Sequence, residues 1–307
     1  MRLHPTGRFD NSARDYEHIT AVPLAAAMGA EIRDVQIATM TDAQFLEIED
    51  ALYRHKMIFL RDQDMSHADQ EAFTLRFGDF GLDAYTTGMP GHPNVQPVIK
   101  EAQTRTRMIF GSGWHTDSPF METPPSISML FGAEVPPYGG DTIWCNTALA
   151  YQYLSETMQQ LLAPLRVHMS AAGVMANLQR EKQPDTADGE AQVSALGNIE
   201  LDMNSRAMIE GWKHPLVRTH PKSGVKALYV DHAYARGIEG LTDAEAEGLL
   251  GFLREHVTQP AFSCRLRWQN RTFAVWDNRL CIHQAFNDYD GFRREMYRTT
   301  VLGEVPR

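Results

Sequence analysis

An imidazole and a carboxylate stand two residues apart in Gly113-Trp114-His115-Thr116-Asp117, and on a strand residues i and i+2 point to the same side. Such a pair could hold a metal ion. With 12 histidines and 39 acids in 307 residues, a His-x-acid pair is expected about once or twice by chance. A second copy, His67-Ala68-Asp69, sits where Ser66 opens a helix, and there Asp69 is explained as an acid near a positive helix end. His115 has no such local explanation; its ordinary alternative is a hydrogen-bonded core histidine. His283, in Cys281-Ile282-His283-Gln284, supplies a second imidazole near the closing strands. Two histidines and one carboxylate make a facial set that suits Fe(II) and leaves coordination positions open. Zinc is more often held by three protein ligands plus water, so the ligand types do not settle the metal.

Arg294 and Arg298 fall four apart in Arg294-Glu295-Met296-Tyr297-Arg298, so a strand would put both guanidiniums on one face. On a solvent face they would be ordinary. On an inner face each needs an anion, and arginine's planar fork binds carboxylates bidentately. Gly139-Gly140-Asp141-Thr142 permits a tight turn, most simply a hairpin, from which Thr142 could present a hydroxyl beside Arg294.

The elements that must position these groups follow from periodicity. Thr41 and Gln44 have capping-box spacing, and Phe45, Ile48 and Leu52 then mark a helix to about His55. Met57–Leu60 reads as a short buried strand. A second helix runs from Ser66 through Phe73 and is expected to stop near Gly78. Residues 83–107 are expected to be a surface loop. Leu154, Met158, Leu161 and Leu162 mark a middle helix, Gln179–Asn198 is polar without period, and Thr242 with Glu245 caps a helix burying Leu249, Leu250 and Leu253. After it the period becomes two, with Phe262, Cys264, Leu266 and Trp268 alternating with polar residues. Strands are further expected over Lys226–Val230, Thr272–Trp276, Cys281–Gln284 and Arg294–Leu302. This is a mainly β chain with flanking helices, a jelly roll or barrel in one domain over residues 1–307. The segments 83–107 and 170–211 are lid candidates.

The charge is −10, from 29 basic and 39 acidic residues, with no Lys/Arg-rich run, which argues against nucleic acid and anionic membranes as partners. Three cysteines, Cys145, Cys264 and Cys281, are too few for a disulfide framework and suit a reducing cytoplasm. No signal-peptide pattern or membrane-spanning stretch is read.

Trp-His-Thr-Asp at 114–117, Gly-Gly-Asp-Thr at 139–142, Val217-Arg-Thr-His-Pro221, Trp276-Asp277-Asn278-Arg279, His283, and Arg294 with Arg298 together resemble the taurine dioxygenase family. The resemblance runs from about Val22 to Pro306. It implies a double-stranded β-helix, Fe(II) on His115, Asp117 and His283, and 2-oxoglutarate chelating the iron while Arg294 and Thr142 hold its distal carboxylate. One position would remain for O2, and the products would be succinate, CO2 and a hydroxylated substrate. Halogenating relatives replace the carboxylate ligand by a small residue; retention of Asp117 therefore implies hydroxylation. The family also makes a homo-oligomer, dimer or tetramer, the expectation.

For the substrate, the resemblance places Arg298 against an anionic group and matches Asp83 and Gly111 to positions where taurine enzymes carry histidine and asparagine. Phe120 and Tyr234 match pocket-lining aromatics. An aspartate would repel an anion or pair with an ammonium. The expectation is a small anionic or zwitterionic carboxylate, sulfonate or sulfate, with taurine or alkylsulfonates proper and aryloxyalkanoates as alternatives. A zinc hydrolase gives the paired arginines no role, and a non-catalytic 2-oxoglutarate-binding protein on the same fold is the remaining reading.

Overall fold

Alternation of side chains across strands builds the frame of the molecule. The computed structural model describes residues 9–82, 87–105, 109, 111–181 and 206–307. Its strands are β1 (Thr20–Pro23), β2 (Ala30–Arg33), β3 (Met57–Leu60), β4 (Gln96–Lys100), β5 (Ile127–Glu134), β6 (Thr142–Asn146), β7 (Arg166–Met169), β8 (Trp212–Pro215), β9 (Val217–Thr219), β10 (Lys226–Leu228), β11 (Ala235–Ile238), β12 (Ser263–Leu266), β13 (Thr272–Asp277), β14 (Cys281–Ala285) and β15 (Arg294–Val301). A seven-stranded sheet has the order β1-β2-β3-β13-β5-β15-β4, and a three-stranded sheet the order β12-β6-β14. All their pairings are antiparallel except β2 with β3.

The two sheets face each other. Met57, Phe59, Ala274, Trp276 and Met296 of the large sheet share one buried cluster with Trp144, Cys264, Leu266 and Cys281 of the small sheet and its continuation. The alternate residues of the same large-sheet strands, among them Ile58, Leu60, Phe273 and Val275, face outward and are covered by helices α1 (Asp42–His55) and α2 (His67–Leu75) through Phe45, Ile48, Leu52 and Phe73. This is the double-stranded β-helix, mainly β with helices flanking it. A third cluster joins α3 (Thr147–Gln152) and α7 (Asp243–Val257) to the strands between residues 166 and 238.

Local chemistry accounts for the helix starts. Thr41 and Gln44 form a reciprocal capping box on α1, Ser66 and Asp69 another on α2, and Thr242 and Glu245 a third on α7. Asp69 is thus committed to a helix end.

Four sequence expectations change. Helix α2 ends at Leu75 with a right-handed C-cap at Arg76, short of Gly78. The middle helix is two helices, α3 and α4 (Glu156–Leu162), because Ser155 caps a new start. Leu161 consequently points to solvent. The 83–107 segment is not loop throughout: Gln96–Lys100 pairs with β15 in register Gln96↔Arg298 to Lys100↔Arg294. Proline and scattered polar residues hide this strand, which borrows its pairing from β15. Residues 83–86, 106–108 and 182–205 lie outside the described residues, so much of both lid candidates does too; of 170–211, Ala172–Glu181 and Arg206–Glu210 are helical. Fourth, His115 and Asp117 do not lie on a strand.

Candidate metal centre and cosubstrate site

His115 makes a single antiparallel bridge to His283, outside any named strand. Each backbone N–H donates to the other's carbonyl, at 2.9 and 2.8 Å, so the two side chains emerge on one side and their rings lie 4.2 Å apart. The chain then turns through Ser118, which has φ +44, and Asp117 folds back toward the imidazoles. Asp117 Oδ1 lies 3.7 Å from His115 Nε2 and 3.9 Å from His283 Nε2. One donor atom from each of the three residues falls within 4.8 Å of the others, and all three are buried. A loop therefore does what an i, i+2 strand pair was expected to do.

The residues flanking the triad set its orientation. His115 Nδ1 is 2.7 Å from the Gly113 carbonyl, which leaves Nε2 to face the centre. Thr116, between two of the triad residues, is pinned at both ends: its N–H donates to Asp231 Oδ2 at 2.7 Å and its hydroxyl donates to the Asn278 carbonyl at 3.1 Å. The other Asp231 oxygen accepts the N–H groups of Ala233 and Tyr234, at 2.7 and 2.8 Å. His283 rests against the Trp276 ring at 4.9 Å and nearly parallel to Trp144 at 6.4 Å.

Burial, with His115 and Arg298 beside it, pushes His283 down to about 3, so it is a neutral imidazole able to donate a lone pair. Burial alone would raise the Asp117 carboxyl, but His283, Arg298, His115 and the Ser128 hydroxyl together hold it below its ordinary value. A neutral imidazole beside an ionised carboxylate belongs to the donor set that Fe(II) accepts.

Arg294 and Arg298 sit on the inner face of β15 with Met296 between them, 4% and 6% exposed. The register shift in β15's pairing with β5 falls between Glu295 and Met296 and skips Ala133 of β5, so alternation along β15 is preserved. Arg298 Nη1 lies 3.6 Å from Asp117 Oδ1. Arg294 Nε and Nη2 have no hydrogen-bond partner among the described residues, and burial pulls its pKa down. Aromatic rings of Trp268 and Tyr289 flank it, each 5.9 Å from Cζ. A buried, under-satisfied guanidinium is costly without an anion, and a dicarboxylate end fits that need.

Thr142 opens β6 and shares with Arg294 the neighbour Trp268. Its oxygen accepts the Trp268 indole N–H at 2.9 Å, leaving the hydroxyl proton to donate elsewhere. The Gly-Gly turn is a crossing from the large sheet to the small one rather than a hairpin, since β5 and β6 belong to different sheets. Gly139 and Gly140 have φ +75 and +67, and a Cβ on Gly139 would lie 2.5 Å from the Asp288 carbonyl oxygen, so neither position suits another residue.

The substrate positions divide. Gly111 borders the centre: its Cβ would lie 3.2 Å from His115 Cε1, so the residue type there governs access to that imidazole. Phe120 and Tyr234 pack on each other at 5.2 Å within the large buried cluster around α3 and α7. Asp83 lies outside the described residues. Sequence reasoning missed Ser128, Asp231 and Trp268; only Trp268 carried a signal, as the inward end of an alternating strand.

Fold and centre together define a non-haem metal dioxygenase of the double-stranded β-helix type. Residues 20–300 match the family described as taurine catabolism dioxygenase TauD, TfdA family, and the chain belongs to that family. It is 35% identical over 293 residues to an alpha-ketoglutarate-dependent sulfate ester dioxygenase of Pseudomonas putida, spanning 92% of this chain and 89% of the relative. It is 32% identical to the alpha-ketoglutarate-dependent 2,4-dichlorophenoxyacetate dioxygenase of Cupriavidus pinatubonensis, over 94% of this chain and 99% of the other. A crystal structure of a taurine dioxygenase from Burkholderia xenovorans superposes with a TM-score of 0.74 at 33% identity, covering 94% of this chain and 91% of that one. The protein is accordingly a 2-oxoglutarate-dependent dioxygenase, an oxidoreductase that uses Fe(II), 2-oxoglutarate and O2. No helix among the described residues is long and apolar enough to cross a membrane.

Proposed function

We propose that this enzyme hydroxylates an aliphatic C–H bond of a small anionic or zwitterionic organic molecule, a sulfate ester, sulfonate or carboxylate. The observation that carries the reading is the second buried guanidinium, Arg298, on the same face of β15 as Arg294 and 3.6 Å from Asp117. One arginine serves the dicarboxylate cosubstrate; the other, already beside Asp117, sets a buried guanidinium at the reacting centre where a substrate anion can also meet it. Relatives named for sulfate ester and dichlorophenoxyacetate oxidation, 35% and 32% identical, support an anionic substrate.

Metal would be held by His115 Nε2, Asp117 and His283 Nε2, and would supply O2 activation once 2-oxoglutarate is bound. The chain's own residues then bind and orient. Arg294 and the Thr142 hydroxyl take the distal carboxylate of 2-oxoglutarate, with Trp268 holding the threonine oxygen so that its proton points away. Arg298 anchors the substrate's anionic group and so fixes which C–H is presented. Gly111 leaves room beside His115, and the Phe120–Tyr234 pair supplies a dry wall. Decarboxylation of 2-oxoglutarate yields succinate and CO2, one oxygen atom entering succinate and the other the substrate. Strands from residue 20 to residue 301 share one sheet, which supports one catalytic domain. The three cysteines are all free and buried, which supports a reducing compartment such as the cytoplasm.

The test is an anaerobic titration of Fe(II)-loaded protein with 2-oxoglutarate, followed by its weak visible charge-transfer band, with His283→Ala as control. Candidate sulfates, sulfonates and carboxylates are then screened for succinate release. Arg298→Ala is expected to lower kcat/KM for the accepted anion by about 10²-fold, the worth of a charged hydrogen bond. Unchanged kcat/KM in that variant, or turnover of neutral analogues as fast as anions, would overturn the assignment.

A further inference from the structure

The Trp276-Asp277-Asn278-Arg279 segment is not absorbed by the ligands or the arginines, yet it reaches the centre. The Ser128 hydroxyl donates to Asp117 Oδ2. Asn278 Nδ2 donates to Ser128 Oγ at 2.8 Å, and Trp276 Nε1 donates to Asn278 Oδ1 at 3.0 Å. Ser128 is fully buried, Asn278 and Trp276 nearly so.

The direction of this chain follows from its far end. An indole N–H can only donate. It therefore fixes Asn278 Oδ1 toward Trp276 and Nδ2 toward Ser128. Ser128 Oγ must then accept from Asn278, and its single proton is left for Asp117. The serine thus occupies Oδ2 of Asp117, while Oδ1 is the oxygen that faces both imidazoles at 3.7 and 3.9 Å. The Trp276 ring also packs against His283, so one residue bears on two of the three triad members.

We propose that Ser128 and Asn278, polarised by Trp276, are positioning residues that make Asp117 a one-oxygen ligand. With Oδ2 committed to the serine proton, the carboxylate offers Oδ1 alone, and a coordination position that a two-oxygen carboxylate would take stays available to the cosubstrates. This deepens the metal-centre reading above and rests on it.

The test uses Co(II) as an anaerobic probe, titrated into the metal-free protein and followed by its visible bands, which report coordination number. Ser128→Ala is expected to shift the Co(II) bands toward a higher coordination number, as Oδ2 is released to the metal, with the melting temperature of the metal-free protein little changed. Asn278→Asp is the sharper variant. Its new carboxylate still accepts from Trp276 but now also accepts the Ser128 proton, drawing it off Asp117. Added charge by itself leaves the coordination number unchanged, so the same band shift in Asn278→Asp as in Ser128→Ala reports the lost serine donor. Unchanged bands in both folded variants would overturn the proposal and leave the metal centre standing. Failure of the wild-type protein to bind Co(II), Fe(II) or Mn(II) would instead sink the centre itself.

Discussion

Arg294 is a buried cation that its surroundings leave under-satisfied. Its guanidinium is 4% exposed, two of its nitrogens lack partners among the described residues, and two aromatic rings are its main company. Replacing a buried, poorly compensated charge by an apolar side chain of similar length is often neutral or stabilising. Arg294→Met is therefore expected to melt at the same temperature as wild type or higher when both are free of 2-oxoglutarate. The same variant should raise the KM for 2-oxoglutarate by about 10²-fold, the size of a lost charge-assisted pair, while Co(II) binds with its wild-type Kd. A drop in ligand-free melting temperature of many degrees would mean that the arginine is a structural cation and not a cosubstrate anchor.

At the scale of elements, the β13–β14 corner is held by a buried charge network. Asp277, fully buried, accepts from Arg279 Nε and Nη2 at 2.8 and 2.7 Å and lies 2.9 Å from His220 Nε2. His220 Nδ1 is in turn 2.8 Å from Ser223 Oγ, and Arg279 and Arg218 both reach Glu304, at 3.5 and 2.8 Å. The network ties the turn after β9 to the corner that leads from β13 into β14 and so to His283. Removing one partner of a buried pair strands the other, so Asp277→Asn should destabilise the fold by about 3 to 5 kcal/mol, measured by urea unfolding at neutral pH. An effect below about 1 kcal/mol would show Glu304 to be the partner that matters to Arg279. His220 and Asp277 stood out in the sequence as parts of two separate motifs, but their meeting could not be read there, because 57 residues separate them and only the sheet closes the gap. The capping boxes at Thr41 and Thr242 were legible because each is complete within four residues; at Ser66 the cap was read but the return bond from Asp69 was not. The β4 strand was not, since its pairing is set by β15. At the centre, His115, Asp117 and His283 could be named from types and order and the structure brings them together, whereas Ser128 and Asp231 act through partners 11 and 115 residues away and left no local pattern.

Across the whole molecule, the buried histidines decide how stability responds to acid. His55, whose Nδ1 lies 2.7 Å from Asn11 Oδ1, and His214, whose Nε2 lies 3.0 Å from the Met121 carbonyl, are both pushed down to about 4, chiefly by burial. An unfolded histidine titrates near 6.5, so between about pH 6.5 and 4 the unfolded chain binds protons that the folded protein refuses. Stability is then lost as pH falls through that window. Asp231 acts in the opposite sense: burial raises it to about 6, so it disfavours the fold as pH rises from about 4 to 6. Asp277 is held below the ordinary carboxylate range, with Arg279 the main cause opposing burial, and its contribution disappears only below about pH 4. With His283 pushed down to about 3, three histidines against one aspartate leave a net loss on acidification. Urea midpoints are therefore expected to fall from pH 7.5 to pH 5, with His214→Gln, which keeps a donor for the Met121 carbonyl, flattening the slope. A midpoint that rises toward pH 5 would assign the dominant role to Asp231, and Asp231→Asn would then remove the rise.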